Sequence, residues 1–154
     1  MKRVILKYGI IFLLTIHIFG QTGQDEVRIS AKIGDNVLFV GNSIKFEKKQ
    51  EFDDILFNEV MPACLEYRDP DDEKHKLNQK AFDKWRIFRP TEMNEDSTWT
   101  FIFMADPFIE GSNYLITNPL IQKYGEKDAD EVFERWSNCF KGGQSVFVVQ
   151  QSEY

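Results

Sequence analysis

Apolar residues are most concentrated between Trp99 and Asp106, and this run is the most strand-like stretch of the sequence. Because side chains alternate between the two faces of a strand, both faces of this one are largely apolar. One face carries Trp99, Phe101, Phe103 and Ala105, whereas the other carries Thr100, Ile102 and Met104. Such a strand needs cover on both sides, and this requirement constrains the architecture of the whole chain.

Four other stretches have the composition of β-strands. Trp85–Phe88 and Val146–Val149 are short apolar runs bounded by polar or turn residues. Val37–Val40 is apolar on both faces, and the strand can continue through Ile44. Nearer the N-terminus, Val27–Ile33 alternates apolar and polar residues, which predicts a short strand with one face in water.

Two stretches repeat apolar residues at steps of three and four, which predicts amphipathic helices. The first extends from Glu47 to Tyr67, with a kink or break expected just before Pro62 because proline removes a backbone donor. The second covers Lys127–Phe140 and is preceded by a shorter helical piece within Tyr114–Tyr124. One helical region therefore follows the first core strand, and the other precedes the last.

A further helix is predicted within residues 69–84, which form a strongly charged insertion. Asp69 has the side chain of an N-cap, and Pro70 suits the first helical position. The many charges of this segment are typical of a face in contact with water. We therefore expect a surface helix whose apolar positions are Leu77, Ala81 and Phe82.

The core elements follow in the order strand, helix, strand, strand, helix, strand, which is typical of a ferredoxin-like βαββαβ unit. The predicted fold class is therefore α+β, with a four-stranded antiparallel sheet and two helices on one face, within residues 37–150. The other face is expected to pack against a second copy of the chain about a two-fold axis, because the strands require cover on both sides. The residues that compete for this cover are Phe39, Trp85, Ile87, Trp99, Phe101, Phe103, Val146 and Val148.

The element order and the stretch Ile44–Leu56 (IKFEKKQEFDDIL) resemble the dimeric α+β barrel superfamily, which includes antibiotic-biosynthesis-monooxygenase-like proteins. In that superfamily a first strand ends in a basic turn and leads into a helix with an early phenylalanine. The resemblance covers about residues 37–150 and is one of pattern, without a catalytic motif. It implies a homodimer with a ligand cavity between the sheet and the helices. The insertion at residues 69–84 departs from the compact cytoplasmic members.

The first twenty residues have the layout of a secretory signal peptide. A basic start is followed by the apolar run Ile10–Phe19, which is shorter than the roughly 20 residues of a membrane-spanning helix. Cleavage near Gly20 leaves residues 21–36 as a lead with the short strand, and residues 151–154 as a polar tail. We therefore expect an exported protein, periplasmic or secreted, with no stable membrane insertion after cleavage.

Charge limits the partners of the chain. Removing residues 1–20 removes three basic residues and no acidic ones, so the net charge changes from −6 to −9. An acidic protein is repelled by phosphate backbones and by anionic membrane surfaces. Nucleic acid is therefore not expected as a partner.

The available residue types limit the chemistry as well. After residue 20 the chain has one histidine, His75, so one subunit cannot build a metal site from two or three histidines. Cys64 and Cys139 lie near the C-terminal ends of the two helical regions. These ends are expected at opposite edges of the sheet, which predicts no bond between the two cysteines and two small buried thiols instead. We expect neither a metal nor a cofactor.

The candidate ligand-binding residues combine aromatic surface with a few polar groups. Tryptophan and tyrosine bring apolar area and one donor each, and an arginine in a cavity can hold a carboxylate or an enolate-like oxygen. The competing interpretation is that the tryptophans are core residues and that the arginines pair with acidic residues at the rim. The candidates are Trp85, Arg86, Arg89, Trp99, Asp106, Tyr114 and Trp136.

Three functions follow from these patterns. The first is an exported α+β-barrel domain that forms a homodimer and binds a small apolar or aromatic ligand without catalysis. The alternative is a cofactor-independent monooxygenase or isomerase acting on a small cyclic substrate, which depends on the resemblance and on the aromatic and arginine set. A third is structural pairing with another exported protein through the acidic insertion. An open cavity near Trp85 with an unpaired arginine inside it favours ligand binding, whereas a closed core favours packing alone.

Overall fold

The computed structural model describes residues 30–153, and the predicted signal peptide at residues 1–20 lies outside them. The described chain is α+β and contains a four-stranded antiparallel sheet, as predicted. Among the helices of these residues, none has both the length and the apolar character needed to cross a bilayer. The strands are β1 (Asn36–Lys45), β2 (Trp85–Phe88), β3 (Thr98–Ala105) and β4 (Ser145–Gln150). The helices are α1 (Lys49–Ile55), α2 (Met61–Glu66), α3 (Asp72–Phe82), α4 (Thr117–Tyr124) and α5 (Glu126–Asn138).

Strand β1 lies inside the sheet, between β3 and β4, and the strand order is β2-β3-β1-β4. All three neighbouring pairs are antiparallel. Residues directly opposite each other, such as Val40 and Phe103, share a face of the sheet. The register therefore separates a helix-covered face from a second face, which we call the open face. The apolar residues of the open face are Val37, Phe39, Phe88, Ile102, Met104, Phe147 and Val149.

The helix-covered face carries the main core. Phe52 of α1 is fully buried, and its ring centroid lies 4.4 Å from that of Trp136 and 4.7 Å from that of Phe101. Of the residues predicted to compete for two layers of cover, only Phe39 lies on the open face. The others share the helix-covered face because alternate residues of a strand point the same way. They are Trp85, Ile87, Trp99, Phe101, Phe103, Val146 and Val148.

The open face remains apolar through a different set of side chains. Phe88 and Phe147 are 47% and 57% accessible to solvent, and Ile102 and Val149 are also exposed. Strand β4 is exposed along its whole length, so its valines on the helix side lack cover as well. The described residues therefore leave Phe88, Ile102, Phe147 and Val149 of the open face in water, whereas Val37 and Met104 on the same face are buried.

The first helical region is continuous through Pro62. It passes from α1 through a π-helical turn, Leu56–Val60, directly into α2. In this wide turn the N–H of Met61 donates to the carbonyl of Leu56, five residues earlier. Proline has no N–H to donate, and its ring crowds the preceding turn, so a widened turn accommodates it. The disturbance expected before Pro62 thus takes the form of a π-helical turn, and the helix does not break.

The predicted surface helix is present as α3, but its N-cap is Asp71 instead of Asp69. Oδ1 of Asp71 accepts hydrogen bonds from the N–H groups of Glu73 and Lys74, at 2.9 and 3.1 Å. Asp69 accepts a hydrogen bond from the N–H of Asp71 at 3.0 Å and so forms the turn before the helix. Both aspartates have capping chemistry, and the choice between them depends on where the chain turns.

The described part of the predicted N-terminal strand is irregular. Residues 30–32 have no regular structure, and residues 27–29 lie outside the described chain. The N–H of Ala31 donates to Oδ1 of Asp106 at 2.6 Å, and Arg86 donates to the hydroxyl of Ser30 at 3.1 Å. These side-chain contacts replace the backbone pairing that a strand would form, so the strand prediction is wrong for residues 30–33.

Candidate functional site

A cavity of about 470 Å³ lies between the helices and the helix-covered face of β2 and β3. Volumes of about 300–1,000 Å³ are typical of sites for small organic molecules. The floor is formed by buried side chains, namely Leu56 and Val60 of the π-helical turn, Phe103 of β3 and Trp136 of α5. Further apolar lining comes from Met61, Cys64, Phe82, Trp85, Ile87 and Ile116.

The π-helical turn positions one wall of the cavity. Leu56, Val60 and Cys64 recur at steps of four along the helical region, and all three line the cavity. Turns of this kind inside α-helices occur frequently at functional sites, because they re-aim side chains without ending the helix. The wall therefore depends on the local effect of Pro62 on the helical hydrogen bonds.

Trp85 of β2 forms part of another wall, and aromatic neighbours fix its ring. The ring centroids of Phe103 and Tyr114 lie 5.9 and 5.7 Å from that of Trp85. Tyr114 is held by Phe108, whose ring stacks on it at 5.2 Å. The Tyr114 hydroxyl also accepts a hydrogen bond from the N–H of Ile109 and donates to its carbonyl, at 2.8 and 3.2 Å. This wall is therefore ordered by the protein itself.

The rim of the cavity is polar and comes mainly from α3. Asn78, Gln79 and Asp83 of this region line it, together with Asn113 of the connection after β3. The N–H of Asn113 donates to Oδ1 of Asn78 at 2.8 Å, and the Asn78 amide donates to Asp69 at 3.3 Å. The charged insertion is therefore a wall of the cavity, fastened to the facing loop by hydrogen bonds.

The three tryptophans differ in whether their indole N–H groups are hydrogen-bonded. That of Trp99 donates to the carbonyl of Phe46 at 3.2 Å. Trp85 and Trp136, which line the cavity, have no hydrogen-bond acceptor for their indole N–H among residues 30–153. An indole nitrogen is a donor only, so these two groups remain available to an acceptor.

The thiol and the two phenols in the lining have raised pKa values and are protonated at neutral pH. Burial raises the pKa of the Cys64 thiol to about 11. Burial likewise raises the pKa of Tyr114, and the pKa of Tyr67 is raised by desolvation and by the nearby Asp69 carboxylate. A protonated thiol is a weak nucleophile, and a protonated phenol is no base. The lining thus offers hydrogen bonds and apolar contacts more readily than proton transfer.

The structure brings together three of the seven candidate residues, namely Trp85, Tyr114 and Trp136. The two arginines lie outside the cavity and are paired. Arg86 contacts the carboxylate of Asp106 at 2.9 Å, and Arg89 contacts that of Asp53 at 2.7 Å. Trp99 packs outside the cavity too, with its ring 6.2 Å from Phe46 and with Lys49 over it at 5.2 Å.

Several lining residues were not singled out by the sequence. Asn78 and Gln79 precede Phe82 and Asp83 by four residues, so the two pairs lie on adjacent rows of one helix face. This spacing is a usable signal for a polar and apolar wall, but the surrounding charges favour a fully solvated helix. Leu56, Val60 and Cys64 match the predicted apolar stripe, and no sequence feature distinguishes a cavity wall from ordinary core.

The remaining reactive side chains lie elsewhere. Cys64 and Cys139 are both free thiols, the first half-buried and the second buried. His75 lies in α3 and is not part of the cavity lining. Within residues 30–153, no group of three or more His, Cys, Asp or Glu side chains is arranged to hold a metal ion.

Comparison of the chain with protein-family models, with curated proteins and with solved structures gives no match. The function is therefore argued from the cavity and from the surfaces of the sheet alone.

Proposed function

We propose that this chain is an exported α+β-barrel protein that binds a small apolar or aromatic molecule and acts as a homodimer. The observation that carries the proposal is the cavity of about 470 Å³, whose floor is buried and apolar. Lining atoms that face empty space lose dispersion contacts, and an apolar ligand restores them. The basic and apolar layout of residues 1–20 supports export.

The element order supports a ferredoxin-like arrangement as the basis of the barrel. Strand, helix, strand, strand, helix, strand is the order of the split β-α-β unit, with α3 inserted before β2. In this arrangement both helical regions cover one face and enclose a cavity against the sheet. The proposed barrel then forms when the open faces of two copies of the chain pack together.

The open face supports a second copy of the chain as its partner. Its exposed side chains, such as Phe88, Ile102 and Phe147, are uncharged although the whole chain carries a net charge of −6. An uncharged apolar surface is complementary to itself, so two acidic subunits can meet there without repulsion. A two-fold axis places the same side chains on both sides of such an interface.

The side chains of the cavity favour binding over catalysis. Cys64, Tyr67 and Tyr114 all have raised pKa values, so they are protonated at neutral pH. Neither Arg86 nor Arg89 reaches the cavity to stabilise an anionic intermediate. The lining therefore suits a site that holds a molecule through apolar contacts.

The test is a titration of the purified protein with N-phenyl-1-naphthylamine, an uncharged aromatic probe whose fluorescence rises in apolar surroundings. We expect saturable enhancement with one probe per subunit. Val60→Phe places a phenyl ring in the floor of the cavity and should weaken binding by about tenfold or more, because the ring occupies the space of the ligand.

Val146→Phe is the matched control, because it makes the same change on the exposed strand β4. It should leave the affinity for the probe unchanged. Fluorescence that never saturates, or equal weakening by both variants, would rule out this cavity as the binding site.

A further inference from the structure

Two residues of the cavity lining carry indole N–H donors. They are Trp85, which is half-buried, and Trp136, which is 5% exposed. Neither N–H group makes a hydrogen bond to any residue between 30 and 153. An accessible donor in a largely apolar lining can be bonded by a ligand, so a ligand that supplies an acceptor gains about one net hydrogen bond relative to one that does not. The hydroxyl of Tyr114, which lies on the same wall as Trp85, is already bonded to the backbone of Ile109 as both donor and acceptor.

The only charge in the described lining of the cavity is negative. Within the described part of the chain, Asp83 is the only charged residue that lines the cavity, and it lies exposed at the rim. Arg86 and Arg89, the two arginines among the candidate residues, are paired with Asp106 and Asp53 away from the lining, and Lys84, which precedes Trp85, does not line the cavity either. An anionic ligand would lose its hydration with no cation to receive it, and it would pass the Asp83 carboxylate.

We infer that the cavity selects an aromatic ligand with an uncharged hydrogen-bond acceptor, such as a ketone carbonyl, and discriminates against the corresponding carboxylate. The indole N–H of Trp85 receives the acceptor, and Asp83 on the α3 insertion opposes anions at the rim. This inference rests on the proposed ligand-binding function and names the class of its ligand. It also gives the insertion at residues 69–84 a role in specificity.

The experiment compares three naphthalenes that differ in one substituent. They are 2-acetylnaphthalene, 2-ethylnaphthalene and 2-naphthoate, and their Kd values are measured at pH 7.5 by displacement of N-phenyl-1-naphthylamine. We expect the ketone to bind about three- to tenfold more tightly than the ethyl compound, as one net hydrogen bond implies. The carboxylate should bind at least about tenfold more weakly than the ethyl compound, because its charge is buried without a partner.

Two pairs of variants assign these preferences to residues. Trp85→Phe keeps an aromatic ring and removes the N–H, so the ketone and ethyl compounds should bind within about twofold of each other. Trp99→Phe, outside the cavity, should keep the wild-type ratio. Asp83→Asn should tighten 2-naphthoate about two- to fivefold, as expected for a partly screened charge. Asp130→Asn removes the same charge from an exposed position of α5 and should leave 2-naphthoate unchanged.

The outcomes separate the two proposals. If neither the probe nor any of the naphthalenes binds, the proposed function fails and this inference fails with it. If the compounds bind but the ketone has no advantage over the ethyl compound, or if the carboxylate binds as well as the ketone, only the inference is overturned. An unchanged ketone preference in Trp85→Phe also overturns it, provided that circular dichroism shows the variant folded. The Asp83 comparison stands even if Trp85→Phe does not fold.

Discussion

Cys64 is the side chain whose chemistry reports most directly on the cavity. Burial raises the pKa of its thiol to about 11, and the residue lines the cavity beside Val60 and Met61. The thiolate is the reactive form, so the thiol is nearly inert at neutral pH. Its reactivity therefore measures both the burial of the wall and the occupancy of the space in front of it.

Alkylation of Cys64 by iodoacetamide should rise about tenfold for each pH unit between 7 and 10. A solvent-exposed cysteine, with a pKa near 8.5, levels off above about pH 9 instead. The rate is measured by quenching and peptide mass spectrometry, which separates Cys64 from Cys139. A plateau near pH 9, or a rate unaffected by saturating N-phenyl-1-naphthylamine, would contradict this placement of the thiol.

Residue identity alone predicted part of this site. The aromatic character of Trp85, Tyr114 and Trp136 marked them as candidates, and the cavity contains all three. The same reasoning included Arg86 and Arg89, whose positions follow from register and from the nearest carboxylate. A sequence shows which side chains can bind a ligand, but the face on which each lies depends on strand pairing across distant residues.

Among the elements, α3 has the clearest consequence for the cavity. This helix supplies the polar rim, and its position relative to the facing loop depends on polar contacts. The N–H of Asn113 donates to Oδ1 of Asn78 at 2.8 Å, and the hydroxyl of Ser112 donates to the carbonyl of Leu77 at 3.3 Å. A wall held in this way can be loosened by one substitution without disturbing the core.

Asn78→Ala should release the amide of Asn113 and loosen α3 from the connection after β3. Loss of one net hydrogen bond, about 1 kcal/mol, corresponds to roughly fivefold faster hydrogen exchange at that amide if exchange occurs by local opening. Binding of the aromatic probe should weaken at the same time. Exchange is measured by mass spectrometry or NMR, with Lys80→Ala on the same helix as control. If the Asn113 amide is as well protected from hydrogen exchange in Asn78→Ala as in the wild type, its hydrogen bond to Asn78 does not hold the helix in place.

The elements were predictable where a local pattern determines them. Strand β2 begins and ends where the run Trp85–Phe88 predicted, because a charged residue precedes it and Arg89-Pro90 follows. The π-helical turn was not predictable in form, since Pro62 requires only that the preceding hydrogen bonds change. The segment at residues 30–33 alternates like a strand but is fastened by Asp106, a contact across 75 residues that no local pattern reveals.

For the molecule as a whole, the proposed assembly depends on the open face. Ile102 and Phe147 are exposed there, next to the half-buried Phe39 of the central strand β1. Isolated apolar residues are ordinary on a protein surface, but a contiguous apolar layer marks an interface. The proposed homodimer buries this layer in both copies.

The double variant Ile102→Lys with Phe147→Lys should be monomeric at about 10–50 µM. This concentration range suits the roughly micromolar affinities that are common for modest interfaces. Like charges facing each other across a two-fold axis repel, and burying them is costly. Native mass spectrometry and light scattering measure the state. Phe133→Lys, an exposed apolar position of α5, is the control and should stay dimeric. A monomeric wild-type protein in this range would remove the dimer from the proposal.

The pairing of β1 with β4 also constrains when the chain can complete its folding. Val37 lies opposite Val149, so the central strand obtains its second neighbour from a segment 112 residues further along the chain. Contacts between such distant segments are slow to form because a long loop must first close. Strand β4 must therefore emerge from the ribosome before the sheet can be completed. In the proposed export, this late closure keeps the chain threadable while it crosses the membrane as an extended polypeptide.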